Sequence, residues 1–193
     1  MTNIETEITK LELALIPERD PRLKEPCTPW DFTKDGDPTE LVAAMAKIML
    51  NPATQGIGLA APQCGVMKNI FIMGTDEHLV ACINPAVDEL IGDKEIYLEG
   101  CLSFPNLWLH VKRNPEALVS YQTTTGESVT KQKLTGLKAR VFLHEFDHLL
   151  GVTFVERVSE LGLSLGKKRR SKTIRLKQKL AKRVASQALS SSS

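Results

Sequence analysis

Nowhere in this chain of 193 residues do 18 or more apolar residues run together, so no membrane-spanning helix is expected. The N-terminus, MTNIETEITK, lacks a basic stretch followed by an apolar one, the pattern of a secretory signal, and a cytosolic location is expected. Cysteine is sparse: Cys27, Cys64, Cys82 and Cys101, with no C-x-x-C pair. That leaves zinc-ribbon and thioredoxin-type readings without support, and in the cytosol all four should be free thiols. Cys27, Cys64 and Cys82 read as small hydrophobes. There is no G-x-G-x-x-G, no internal repeat, and no acidic residue after Glu160.

This last absence divides the charge. Residues 1–160 hold 15 basic and 23 acidic residues, a balance of −8, whereas residues 161–193 hold ten basic and no acidic ones, +10. A hydrophobic fraction of 42% and a charged fraction of 25% are ordinary for a globular protein, and the length suits one packed domain. The expected division is a catalytic domain over 1–160 and a basic tail over 161–193, partly helical or disordered.

Residues 1–36, with Pro17, Pro21, Pro26 and Pro29, read as extended structure and loop. A helix follows, with Asp37 as N-cap, Pro38 in the first position and Glu40 completing a capping box. Its apolar stripe is Leu41, Ala44, Met45, Ile48 and Met49, and Asn51-Pro52 ends it. Strand-like runs cover 69–73, 80–83, 96–98 and 118–123, with a less regular one over 129–134 and a turn at Gly126 between the last two. A second helix over 137–149 aligns Leu137, Val141, His144 and His148, with Gly151 where a C-terminal cap belongs. This order predicts an α+β fold rather than alternating βαβ units.

The chemistry concentrates in His144-Glu145-Phe146-Asp147-His148. Residues four apart on a helix share a face, so both imidazoles can reach one metal ion, and Glu145 can reach a water on that ion without ligating it. A catalytic site needs a third ligand. Phe154 stands where the metzincin pattern has its third His, and the downstream Glu of gluzincins has no counterpart beyond Glu160. Upstream, Glu99-Gly100-Cys101-Leu102-Ser103 sets a thiol beside a glycine, although a cysteine such as Cys101, read alone, is more often a buried hydrophobe than a ligand. Gly56-Ile57-Gly58-Leu59-Ala60-Ala61-Pro62-Gln63 offers close backbone approach and an amide donor for an oxyanion, or simply a tight turn with a surface Gln63.

Taken together and in this order, GIGLAAPQ, EGCLS and HEFDHLLG resemble the three motifs of the peptide deformylases, and Asp20-Pro21-Arg22-Leu23 resembles their N-terminal segment; the likeness covers roughly residues 13–160. The resemblance implies antiparallel sheets surrounding a central helix that carries the HExxH motif, with an N-terminal helix before it. It implies metal ligation by Cys101, His144 and His148 with a water as the fourth ligand and nucleophile. Glu145 is then general base and acid, and Gln63 with the Leu102 N–H forms the oxyanion site. The implied ion is Fe²⁺, with Zn²⁺, Ni²⁺ or Co²⁺ able to substitute. Ile57 and Gly58 would pair with the substrate backbone, the methionine side chain would lie near Leu137 and Val141, and Arg113 would pair with Glu99. The implied activity is removal of the formyl group from the N-terminal formyl-methionine of nascent polypeptides. Leu143 is a departure, since the family commonly has Gln directly before the first metal-binding His.

Two other readings stand beside it: an ordinary zinc endoprotease, and a binding module that acts on RNA through the tail. Residues 167–183 read KKRRSKTIRLKQKLAKR, and Leu176, Leu180 and Val184 recur at helical spacing. The tail is open to three readings: a solvated charge run, a membrane-surface helix with a thin apolar face, or a helix that docks on ribosomal RNA. No DNA or membrane partner is expected.

Overall fold

The computed structural model describes residues 11–53, 56–75 and 77–190. Helix α1, Thr39–Met49, begins one residue later than expected: Pro38 holds the N-cap position, and Asp37 Oδ1 accepts from Thr39 N–H at 2.8 Å. The strands among the described residues are β1 (Gly58–Ala60), β2 (Ile70–Gly74), β3 (Leu79–Ile91), β4 (Glu95–Gly100), β5 (Trp108–Arg113), β6 (Glu116–Gln122) and β7 (Ser128–Thr135). Helix α2, Gly136–Leu149, and helix α3, Glu160–Ser190, follow. Five strands pair antiparallel in the order β1-β2-β3-β6-β7, and β4 with β5 forms a separate antiparallel ribbon.

Strand β2 shows how the layers assemble. Successive side chains on a strand point to opposite faces. Ile70 and Ile72 pack with Leu41, Met45 and Met49 of α1. Phe71 and Met73 pack with Ala139, Phe142 and Leu149 of α2. Both faces of β2 are therefore covered, which is why its run is apolar throughout rather than alternating. The Phe71 and Phe142 rings meet edge to face at 5.0 Å between centroids. A third cluster, Phe104, Leu107, Leu109, Val111 and Phe154, lies under the β4–β5 ribbon and receives Leu163 from α3.

Three differences from the expected elements have physical causes. Strand β3 continues through Asn84-Pro85, beyond the expected run of 80–83. Asn84 adopts φ 48° at an irregularity in the β3–β6 register, and its side chain satisfies Trp30 N–H and Gln122, so the ladder absorbs the proline in a bulge. The weak alternation over 129–134 reflects a second bulge: Lys131 has φ 49°, and its N–H is taken by Ser120 Oγ at 3.0 Å. Strands β1 and β5 were not expected. In β5 the buried positions are Leu109, Val111 and Arg113, and the last hides the alternation because it is an ion-paired arginine. The glycine-rich motif contains β1 and runs from it into one 3-10 turn, Ala61–Cys64.

Gly151 ends α2 with φ 70°, donating its N–H to His148 O. A Cβ there would stand 2.7 Å from the Lys24 backbone. No helix among the described residues is long and apolar enough to cross a membrane.

Candidate metal centre

Helix α2 presents His144 and His148 one turn apart, with ring centroids 5.2 Å from each other. Cys101 lies directly after β4, and one ligand atom from each of Cys101, His144 and His148 lies within 4.8 Å of the others. The Cys101 Sγ to His148 Nε2 separation is 3.3 Å. Ligands about 2.0–2.3 Å from a tetrahedral centre stand about 3.3–3.8 Å apart, so this set fits a metal ion. A thiolate with two imidazoles suits borderline ions such as Zn²⁺ and Fe²⁺.

The charges around the donors point the same way. Burial would lower the His144 pKa, yet Cys101 and Glu99 beside it outweigh that and push it up to about 10. The pocket thus favours positive charge at this point. Burial, with His144 and Arg113 nearby, pushes His148 well below its ordinary value and keeps it neutral.

Glu99 orients His144. Its Oε2 meets His144 Nδ1 at 3.0 Å, leaving Nε2 for the ion. Arg113 Nε and Arg140 Nη1 each donate to Glu99 Oε1 at 2.8 Å, and Arg113 Nη2 donates to Oε2 at 3.1 Å. Burial penalises this carboxylate, but bonds from His144 and Arg113 prevail and hold its pKa down at about 2. Arg113 also donates to Asp147 Oδ2 at 2.7 Å, and Asp147 accepts from Arg157 as well. The expected Arg113–Glu99 pair is therefore one link in a buried chain from His144 to Asp147. Sequence reading missed Arg140 and Asp147. The signal was available: Arg140 stands one turn before His144 on α2, and Asp147 three residues after it.

Gln63 is buried rather than a surface residue. Its Oε1 accepts from Ala60 N–H at 2.8 Å, which fixes the amide. Its Nε2 then faces Ser103 Oγ at 3.0 Å and Cys101 Sγ at 3.3 Å. Glu145 is also buried, and its Oε2 has no hydrogen-bond partner among the described residues. Burial pushes its pKa up to about 7, against the pull of His144 and Arg113. Its other oxygen lies against β1, where a Cβ on Gly58 would stand 2.3 Å from Glu145 Oε1.

These groups open on a cavity of about 690 Å³. Ile57, Gly58, Leu102, Leu137 and Val141 line it together with Gln63, Cys101, His144 and Glu145. Ile57 and Leu137 are exposed at its rim. Of the expected site residues, His148 alone is absent from the lining, with 1% of its surface exposed. Leu143 is buried, and its carbonyl accepts from Arg113 Nη1 at 3.3 Å.

Known proteins resemble this chain in sequence and in fold. A peptide deformylase of Thermotoga maritima is 46% identical over 104 residues, 54% of this chain and 63% of that relative's length. One from a Picosynechococcus strain is 40% identical over 148 residues, 72% of this chain and 79% of the relative. The crystal structure of the Thermotoga maritima enzyme superposes with a TM-score of 0.71 at 36% identity, covering 77% of this chain and 99% of that one. That of a Synechococcus elongatus peptide deformylase in complex with actinonin gives 0.75 at 31% identity, covering 89% and 95%. The family model for polypeptide deformylase matches residues 13–163, and this chain belongs to that family.

Proposed function

We propose that this chain is a metal-dependent hydrolase that removes the formyl group from the N-terminal formyl-methionine of nascent polypeptides. The observation that carries the reading is the convergence of Cys101, His144 and His148 beside a buried Glu145, on a cavity bordered by an edge strand. Cys101, His144 and His148 hold the ion, assigned as Fe²⁺ on the family resemblance, with Zn²⁺, Ni²⁺ or Co²⁺ as substitutes. When bound, a divalent ion supplies Lewis acidity, polarising the formyl carbonyl and acidifying water.

The remaining work falls to the chain itself. The substrate peptide lies extended along β1 and pairs with the backbone of Ile57 and Gly58, a mode open to an edge strand. Its methionine side chain enters the apolar side of the cavity by Leu137 and Val141. Gln63 Nε2, held by the Ala60 N–H on its oxygen, and the Leu102 N–H donate to the oxygen that gains charge. Glu145 takes the proton of the attacking water and returns it to the leaving amine. A pKa near neutrality suits both halves of that task.

The compartment we assign is the cytoplasm, where new chains emerge. We assign α3 to the ribosome surface, because its lysines are exposed and no acidic residue follows Glu160 at its start. Anaerobically purified protein should bind one metal ion, deformylate formyl-Met peptides and leave casein uncut. Casein cleavage without deformylation would establish the endoprotease reading, and neither activity would leave the RNA-binding module.

A further inference from the structure

The cavity beside the candidate metal centre is lined by few charged side chains. Glu99, Arg140 and Glu145 are buried within it. Lys177 is the charged lining residue that stays exposed, and it comes from α3, outside the three motifs.

Its placement is built rather than incidental. Gly166 brings α3 against β5 so closely that a Cβ there would stand 2.3 Å from Leu109 Cδ2. Leu163 packs with the cluster containing Phe104, Leu107 and Leu109. One turn further along, Arg170 grips the Glu18 carboxylate with two bonds of 3.1 and 2.6 Å. These contacts carry the helix back to the cleft, where Lys177 Nζ donates to Asn106 Oδ1 at 2.7 Å. Asn106 sits at φ 63° in the tight connection from Cys101 to β5, closed by Phe104 N–H to Cys101 O and Leu107 N–H to Phe104 O. The ammonium group has three donors, of which Asn106 takes one. No carboxylate among the described residues forms an ion pair with it.

We propose that Lys177 is a specificity residue that takes a carboxylate of the substrate peptide downstream of the formyl-methionine. The inference rests on the deformylase reading above. A carboxylate can come from an acidic side chain or from the end of a short chain, and the test separates them. The substrates are formyl-Met-Ala-Ala amide, formyl-Met-Ala-Glu amide, formyl-Met-Ala-Lys amide and formyl-Met-Ala-Ala free acid, given to the metal-loaded full chain and to Lys177→Ala and Lys177→Glu.

The full chain should prefer the Glu amide over the neutral amide by about two- to five-fold in kcat/KM, carried by KM, as befits one exposed ion pair. The preference should fade with added salt. Lys177→Ala should bring the ratio to about one, and Lys177→Glu should turn it towards the Lys amide. A preference for the free acid that behaves the same way assigns the chain terminus as a second source of the carboxylate. Ratios unchanged by both substitutions, with turnover intact, overturn the Lys177 assignment alone. No turnover on any formyl-peptide overturns the deformylase reading and this inference with it.

Discussion

At the scale of single residues, three side chains have separable duties. Glu145 lies outside the Cys101-His144-His148 set, and its Oε2 has no hydrogen-bond partner among the described residues, so Glu145→Gln should keep the metal and lose about 10²–10⁴-fold in kcat on formyl-Met peptides, read by assay beside metal analysis. Cys101 differs from the other cysteines in surroundings rather than in sequence neighbours alone. Burial pushes the Cys27 and Cys64 thiols up to about 11 and Cys82 higher still, so none is a thiolate near neutrality. Cys101→Ala should therefore lose metal on dialysis, while Cys27→Ala, Cys64→Ala and Cys82→Ala should keep about one ion per chain. Glu99 matters through what it neutralises. Glu99→Gln leaves Arg113 and Arg140 with a neutral partner in a buried site and should cost about 3–5 kcal/mol in denaturant unfolding. Its folded pKa lies below its ordinary value of 4.5, so the Glu99 charge contributes stability above that pH and loses it as pH falls towards 2. The gap between wild type and variant should close over that window.

At the scale of elements, what could be read in the sequence depended on whether a local rule sufficed. Helix α2 declared itself because one rule set its face, its candidate ligands and its end: the spacing of Leu137, Val141, His144 and His148, then Gly151. Strand β5 did not, because its third inward position is Arg113, whose polarity breaks the alternation and whose partners, Glu99 and Asp147, are distant in sequence. The bulges at Asn84 and Lys131 are likewise paid for by Trp30, Gln122 and Ser120, none of them neighbours in the chain. The candidate site follows the same division. Its candidate ligands fell within motifs, whereas the buried chain from Glu99 through Arg113 to Asp147 is a tertiary fact. Gly151 gives a test at this level. Alanine there must adopt φ 70° and crowd the Lys24 backbone, so Gly151→Ala should lower stability by at least about 1–2 kcal/mol, seen as a lower denaturation midpoint.

At the scale of the whole molecule, the division of charge becomes a division of space. Helix α3 has 31 residues and spans about 46 Å. Its first turns pack on the body through Leu163 and Gly166, and Arg170 pairs with Glu18, so removing the whole segment would also remove packing from the cluster around Leu109. Neutralising exposed lysines is the cleaner perturbation. Lys168, Lys172, Lys179 and Lys182 are all exposed and form no ion pair among the described residues. The +10 of residues 161–193 should attract the phosphates of ribosomal RNA while the −8 of the rest is repelled, turning the molecule on that surface. Binding of this kind releases counterions, and its salt slope counts the phosphates neutralised. Replacing these four lysines together by glutamine should lower the slope of log K against log salt by up to about 3–4 and weaken ribosome co-sedimentation at low salt, with the unfolding midpoint unchanged. Equal co-sedimentation of the two proteins at every salt concentration would remove the ribosome from the proposed partners and leave α3 with its packing on the Leu109 cluster and its Lys177 contact at the cleft.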